Sequence, residues 1–412
     1  MSEAIAVQSP PAAALNQNRT YRLILAGHLI SILGDGFHSV ALSLWVLQVT
    51  GSAKAMSAVM GVRIIVAILL GAFAGAVVDR SDRRRLMWTM DLLRGVLVIG
   101  MAVAVASGMP FPVLLLLIAV LTAAGQFRSP AFSASLVHIV GKEHVQKATS
   151  VMQMLSTGMQ VIAPLLGGAV AAGLGGWVAL MGDAASFFLC ALLVLAAGSF
   201  PSPRRERGEK QPFWEDMRGG IRYIRGDAFL TALIIMAPLV NMFTNAAGVL
   251  TPVVAYKVWA VSPAQFGLVE GVIPLGFALG AAALTAFGSK LRKRGLLIGG
   301  ITVLGGLLYL LMGLVPSVWM AYPLLLLMGM VYAVTNVLIA TALQTQTAPE
   351  MQGRVFGTLN SLLTAASPLA LAVAGTVADL YNPALVLAAC GVGLGAMGGL
   401  ATLLLRGLRR FD

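Results

Sequence analysis

Charged residues are scarce in this sequence: Asp, Glu, Lys and Arg make up 11% of the 412 residues, against about 25% in soluble globular domains. A water-soluble globule could not cover its surface with so few charges, so the outer surface must face an apolar medium, the lipid bilayer. Cysteine is also rare, and neither Cys190 nor Cys390 has the neighbouring ligands that a metal site needs. A water-soluble globule, a disulfide framework and a zinc site are therefore excluded.

The charges that are present are mainly basic, and the formal net charge is +12 at pH 7. The Lys and Arg residues lie between apolar runs and not with aromatic residues on one polar face, so we expect no nucleic-acid partner. The sequence also lacks a His-Glu-x-x-His run, a Gly-x-Ser-x-Gly turn and a phosphate-binding loop. We therefore expect no enzymatic activity, no metal and no cofactor.

Long apolar runs dominate the sequence, in which 58% of the residues are hydrophobic. A helix that crosses a membrane needs about 20 mainly apolar residues. Twelve runs, separated by turn-forming residues, meet this requirement. The predicted spans are 22–49, 56–78, 86–107, 112–136, 148–173, 176–199, 228–255, 264–287, 295–315, 318–341, 353–378 and 382–405. The predicted fold class is an all-α polytopic membrane protein.

The basic residues predict how the spans are oriented. Most of them lie in loops on the side that holds the N-terminus, and the opposite loops carry only Lys54 and Lys257. Because Lys and Arg collect on the cytoplasmic side of membrane proteins, we expect both termini to be cytoplasmic. The expected location is the inner or plasma membrane.

The second half of the chain repeats features of the first half. Three features recur at nearly the same offset: Gly71 with Gly276, Gly75 with Gly280, and Pro164 with Pro368. Such a repeat predicts two parallel, pseudo-symmetric six-helix bundles. The predicted divisions are a tail at 1–21, a bundle at 22–199, a linker with an interfacial helix at 200–227, a second bundle at 228–405 and a tail at 406–412.

A polar loop, GAVVDRSDRRR, ends the second span. Five residues fit the signature Gly-x-x-x-Asp-Arg-x-Gly-Arg-Arg, with Asp82 at its second glycine: Gly75, Asp79, Arg80, Arg83 and Arg84. With this motif, its spans and its repeat, the chain resembles the major facilitator superfamily of transporters. In that family the loop is regarded as a latch between the halves, which implies gating roles for these residues. A basic loop that only fixes topology is the alternative.

Two further elements favour a particular branch of that superfamily. Ala163, Pro164, Gly167 and Gly168 resemble the Gly-Pro-x-x-Gly-Gly element of antiporter branches, although ordinary tight packing is the alternative. The phrases ILGDGFHSVAL, GDAASFFLCALL and APEMQGRVFG resemble the drug:proton antiporter group, which contains macrolide-efflux and siderophore-export proteins. These resemblances imply export rather than uptake.

Ionisable residues inside spans are candidates for function because a membrane interior disfavours them. Asp35 lies near the middle of the first span and is the first candidate for proton coupling, with a structural pin as the alternative. His38, three residues further on, could share the proton. Arg128 could tune a nearby acid or extend to the membrane surface, and Glu270 could be a second acid or an outer-vestibule residue.

Other polar and aromatic residues are assigned to a gate or a cavity. Asp91 and Arg94 lie at i and i+3 on the third span and are predicted to pair with each other or with the polar loop. We expect an adaptable, mainly apolar substrate cavity. Its candidate residues are Phe37, Trp45, Met152, Asn241, Asn245, Tyr332 and Asn336.

The combined prediction is a proton-driven exporter of hydrophobic or amphipathic small molecules, such as drugs, that works by alternating access. Its expected partners are a small-molecule substrate, protons and the lipid bilayer, and we expect a monomer without a cofactor. An uptake carrier for a metabolite is the first alternative. A membrane-embedded enzyme or a channel is a more remote one.

Overall fold

The computed structural model describes residue 15 and residues 17–198, 213–287 and 294–404. Most of the predicted tail at 1–21, the predicted tail at 406–412 and residues 200–212 of the predicted linker at 200–227 lie outside these residues. The described residues form thirteen helices. These are α1 Arg19–Thr50, α2 Ala53–Val78, α3 Arg83–Ala106, α4 Phe111–Val140, α5 Val145–Leu174, α6 Gly176–Ala196, α7 Phe213–Arg225, α8 Ala228–Lys257, α9 Pro263–Phe287, α10 Arg294–Leu314, α11 Val318–Gln346, α12 Pro349–Leu380 and α13 Pro383–Leu404.

All of the helices except α7 are long and apolar enough to cross a membrane, which confirms the prediction of twelve spans. Short polar residues start several of them. Asn18 accepts a hydrogen bond from the Tyr21 amide at 2.9 Å before α1, and Asp227 accepts one from the Leu230 amide at 2.8 Å before α8. The short helix α7 lies in the segment that the sequence assigns to an interfacial helix.

The twelve spanning helices form two six-helix bundles with matching internal contacts. In the N-terminal bundle α1 packs on α5 and α6, and α3 packs on α4 and α6. In the C-terminal bundle α8 packs on α12 and α13, and α10 packs on α11 and α13. Each contact in one bundle has a counterpart in the other, as the internal repeat predicts.

The two bundles meet through α5 with α9 and through α2 with α12. We call the side of the protein where α1 begins the near side, and the side where α1 ends the far side. Gly168 is so close to α9 that an added Cβ would lie 2.7 Å from the Pro263 carbonyl oxygen. At Gly375 an added Cβ would lie 3.0 Å from the Ala53 carbonyl oxygen. Both contacts lie toward the far side, so the bundles are joined there.

The near-side half of α5 presents a polar face. This face is open to its surroundings and contains Gln146, Thr149, Ser150, Gln153, Met154 and Thr157. A polar stripe on a spanning helix suits a water-filled space and not lipid. At Gly75, in the near-side half of α2, an added Cβ would meet nothing within 4 Å. Thus α2 is not pressed against another helix at that glycine.

Candidate functional site

Asp35 is held by an arginine of another helix. Its carboxylate Oδ1 lies 3.0 Å from Nη2 of Arg94 on α3, and 51% of its side chain is exposed. The Arg94 guanidinium also lies over the Phe187 ring, 3.9 Å from the ring centroid. This carboxylate therefore has both an ion-pair partner and access from outside the protein, and a purely structural pin would not need that access.

Asp91 and Arg128 form a second ion pair deeper in the same bundle. Nε of Arg128 donates to Oδ1 of Asp91 at 3.2 Å, and Asp91 is fully buried. Arg128 also donates through Nη2 to the Cys190 sulfur at 3.1 Å. Arg128 is 6% exposed and does not extend to a membrane surface.

The two ion pairs are linked by Arg94. Its Nη1 lies 4.0 Å from Oδ1 of Asp91, so the predicted pairing at i and i+3 is present but is the longest contact of the group. Acid and base alternate through the N-terminal bundle in the order Asp35, Arg94, Asp91, Arg128. A change of charge at Asp35 is therefore transmitted electrostatically to two more buried groups.

The sequence suggests that His38 could share the proton of Asp35, and in the structure the ion-pair partner of His38 is Asp183. Its Nδ1 lies 3.0 Å from Oδ2 of Asp183 on α6, and both side chains are buried. The sequence analysis does not include Asp183 among its candidates, because nothing in the sequence shows that it faces His38. Gly34 makes this pair possible, because an added Cβ there would lie 2.6 Å from Oδ1 of Asp183.

The polar loop after α2 binds helix ends of its own bundle. Arg83 donates to the Ala134 carbonyl of α4 at 3.0 Å, and Arg84 donates to the Leu195 carbonyl of α6 at 2.6 Å. Asp79 is the residue that ends α2, and Arg80 is exposed. Positive groups near helix C-termini are favourable, because those ends carry partial negative charge.

The small-residue element of α5 lies between two helices of different bundles. Gly36 of α1 is so close to it that an added Cβ would lie 2.7 Å from the Ala163 carbonyl carbon. Gly167 faces the α1 backbone at Phe37, and Gly168 faces Gly267 of α9, each with an added Cβ at 2.9 Å from the facing Cα atom. A larger side chain at Gly168 would separate α5 from α9 and so the two bundles, whereas one at Gly36 or Gly167 would separate α1 from α5 within the N-terminal bundle.

The predicted cavity residues separate into two groups. Asn241, Tyr332 and Asn336 line a cavity of about 200 Å³ in the C-terminal bundle. The Asn245 side chain donates to Ser367 at 3.1 Å behind that cavity. Phe37 and Trp45 pack on the main apolar core, and Met152 packs in smaller clusters with residues of α1 and α4.

Glu270 lies in a different cavity, between the bundles and toward the far side. This cavity of about 120 Å³ is also lined by Arg63 of α2, by Ser39 and Ser43 of α1, and by Gly248 of α8. Sequence reasoning assigned no role to Arg63, because nothing in the sequence shows that it faces Glu270. In the part of the chain that the structure describes, no cluster of His, Cys, Asp and Glu has the geometry of a metal site.

Two six-helix bundles with charged residues inside the membrane-spanning helices define a membrane carrier. Residues 24–371 match the sequence profile of the Major Facilitator Superfamily, and the chain belongs to this family. The chain is a transporter, not an enzyme, and is a multi-pass membrane protein.

Characterised relatives and solved structures share this architecture. The chain is 28% identical to the Enterobactin exporter EntS of Escherichia coli O1:K1 over 96% of its own length and 94% of that protein. It is also similar in fold to a bacterial homologue of the iron transporter ferroportin in an inward-facing state, with a TM-score of 0.74, 14% identity, and coverage of 95% and 100% of the two chains. The nucleoside transporter NupG gives a TM-score of 0.74 at 12% identity, with coverage of 95% and 100%. These structural similarities concern the fold alone.

Proposed function

We propose that this protein exports hydrophobic or amphipathic small molecules, including drugs, in exchange for protons by alternating access. The observation that carries the proposal is Asp35, a half-exposed carboxylate in the middle of α1 that is bound to Arg94. Protonation of Asp35 weakens this ion pair and releases Arg94 toward Asp91. The ion pairs that link Asp35, Arg94, Asp91 and Arg128 therefore depend on whether Asp35 carries a proton. The similarity to an enterobactin exporter favours export over uptake.

The proposed mechanism places the near side in the cytoplasm, in accord with the basic loops on that side. The described contacts between the bundles on the far side then correspond to an inward-facing carrier, and the open polar face of α5 lines its entrance. We propose that the protein acts as a monomer in the inner or plasma membrane. The pocket formed by Asn241, Tyr332 and Asn336 would hold part of the substrate.

The direct test measures proton movement and solute movement in the same proteoliposomes. Enterobactin and erythromycin serve as candidate solutes, and a pH-sensitive dye reports protons. We expect Asp35→Asn to abolish solute-dependent proton flux and pH-driven accumulation while the protein still folds. The matched control is Glu143→Gln, because Glu143 is an exposed acid in a loop.

The outcome also separates the alternatives. Proton-driven accumulation that is unchanged in Asp35→Asn would remove Asp35 from the mechanism. Solute exchange that proceeds equally with and without a proton gradient would favour the uptake carrier or facilitator. Single-channel currents would contradict a carrier.

A further inference from the structure

Arg63 and Glu270 face the same cavity from different bundles and have no part in the mechanism proposed above. Arg63 belongs to α2 and Glu270 to α9, and the cavity between them has a volume of about 120 Å³. Ligand sites for whole drug-sized molecules have volumes of about 300–1,000 Å³. The cavity is thus large enough for one functional group of a solute, and too small for the whole solute.

The Arg63 guanidinium is bonded to no residue in the part of the chain that the structure describes. Among the residues that the structure describes, none forms a hydrogen bond with it or an ion pair within 4.0 Å. Arg94 and Arg128, in contrast, are each bound to a carboxylate. Arg63 is partly buried, and an oxyanion in the cavity would accept the charge-assisted hydrogen bonds that its guanidinium does not make with any described residue.

Several carboxylates attract Arg63 electrostatically from beyond ion-pair distance. The carboxylates of Asp35, Asp183 and Glu270 act on it through Coulombic attraction, and Arg94 repels it. Glu270 is the only one of these acids that lines the same cavity, and no described residue hydrogen-bonds to it. The cavity thus holds a donor group and a competing acceptor group that do not bond each other.

We propose that Arg63 binds an oxyanion group of the transported solute, a carboxylate or a phenolate, and that Glu270 is the competing counter-charge for Arg63 in the empty carrier. The inference rests on the proposed function and adds the class of substrate to it. The hydroxyl groups of Ser39 and Ser43 line the same cavity and can donate further hydrogen bonds to the oxyanion.

This arrangement also connects binding to opening. In the empty carrier, attraction between Arg63 and Glu270 acts across the two bundles near their far-side contact. A solute anion at Arg63 neutralises the guanidinium and weakens that attraction. Binding from the near side therefore favours separation of the bundles on the far side, the direction that export requires.

The test compares a carboxylic acid with its neutral amide. 4-Phenylbutyrate and 4-phenylbutyramide are titrated into the purified full-length protein in detergent by calorimetry, at one pH and without a gradient. We expect the wild-type protein to bind the acid about tenfold more tightly than the amide, which corresponds to about 1.4 kcal/mol. In Arg63→Gln this preference is lost, and in Arg63→Lys part of it remains.

Two further variants make the test specific. Glu270→Gln removes the competing carboxylate, so the preference for the acid rises severalfold. Lys54→Gln removes a charge from an exposed position of the same helix and leaves the preference unchanged.

Equal affinity for the acid and the amide in the wild-type protein, including no binding of either, overturns the inference. A preference that survives in Arg63→Gln does the same. If Arg63→Gln does not fold, the ratio of the affinities for the acid and the amide in Glu270→Gln decides. A ratio that is unchanged in that variant contradicts competition between Glu270 and the solute for Arg63. None of these results depends on proton-coupled transport, so the proposed function stands or fails separately.

Discussion

The two bundles share a fold but differ in the polar groups that hold their interiors together. The N-terminal bundle contains the ladder of Asp35, Arg94, Asp91 and Arg128 and the pair of His38 with Asp183. At the corresponding depth, the C-terminal bundle contains neutral contacts, such as those of Asn241 and Asn245 with Ser367 and of Tyr309 with Tyr332.

This difference indicates a division of labour. Ion pairs in a membrane interior are strong, and they weaken when the acidic partner is protonated. Hydrogen bonds between neutral groups do not depend on such a protonation. The larger of the two enclosed cavities described above lies in the neutral bundle. We therefore interpret the N-terminal bundle as the part that responds to protons and the C-terminal bundle as the part that accommodates most of the substrate. Arg63 of the N-terminal bundle is proposed to bind only the oxyanion group of the substrate.

Loss of Arg128 is the most severe test of this comparison. Arg128→Met leaves Asp91 buried without its closest partner, and breaking a buried ion pair in this way destabilises by about 3–5 kcal/mol. We expect a large fall in the thermal unfolding midpoint in detergent. The double variant Asp91→Leu with Arg128→Met removes both charges and should recover most of the loss. A double variant as unstable as the single one would show that Arg128 acts by packing and not by charge.

The fold can be predicted well from the sequence because the pattern that indicates each spanning helix lies within one continuous segment. Each span is a run of apolar residues, and the polar loop that contains Asp79 and Arg83 is a contiguous motif. The partners inside the bundle are different, because they depend on how each helix is rotated about its axis. Asp183 and His38 are far apart in the chain and meet only because Gly34 lets α1 approach α6.

The interface between the bundles is still harder to predict. Arg63 and Glu270 lie in different bundles, so their shared cavity depends on the conformation of the whole carrier. The glycine pair in α2 illustrates the same limit. An added Cβ at Gly71 or Gly75 would meet nothing within 4 Å, whereas at Gly280, the counterpart of Gly75, it would lie 2.8 Å from the Met330 Cα atom.

Removal of His38 tests the second buried pair of the N-terminal bundle. His38→Leu leaves the Asp183 carboxylate without this partner, and an unsatisfied buried group costs about 1–3 kcal/mol. We expect a smaller fall in the unfolding midpoint than for Arg128→Met. His38→Asn keeps a hydrogen-bond donor and should retain part of the stability. An unchanged midpoint in His38→Leu would mean that the pair contributes nothing to folding.

Asp379 joins the two bundles on the far side, and its removal tests how strongly this contact holds them together. Its carboxylate, at the end of α12, accepts hydrogen bonds from the Ser52 hydroxyl and from the backbone amides of Ala53, at 2.6 Å, and Lys54, at 3.1 Å. It thus caps the start of α2 from the opposite bundle. Loss of a helix cap costs about 0.5–2 kcal/mol, so Asp379→Ala should increase the population that is open on the far side about tenfold.

The measurement uses a cysteine introduced at Ser57, which is 4% exposed and lies against Gly375. A membrane-impermeant maleimide labels it only when the far side opens, so labelling should be faster in Asp379→Ala than with Asp379 intact. The protein without the introduced cysteine is the control for Cys190 and Cys390. Equal labelling rates would exclude the cap as a determinant of the far-side contact.

The smallest expected effect lies in the neutral bundle. Ser367 accepts hydrogen bonds from the amides of Asn241 and Asn245, each at 3.1 Å, and each amide also donates to a backbone carbonyl. Because the amides keep these other acceptors, Ser367→Ala should destabilise by only about 0.5–1.5 kcal/mol. Ser361→Ala, on the same helix but half-buried, is the matched control. If Ser367→Ala lowered the unfolding midpoint as much as Arg128→Met, the neutral contacts would be as important as the charged ones, and the proposed division between the bundles would have no energetic basis.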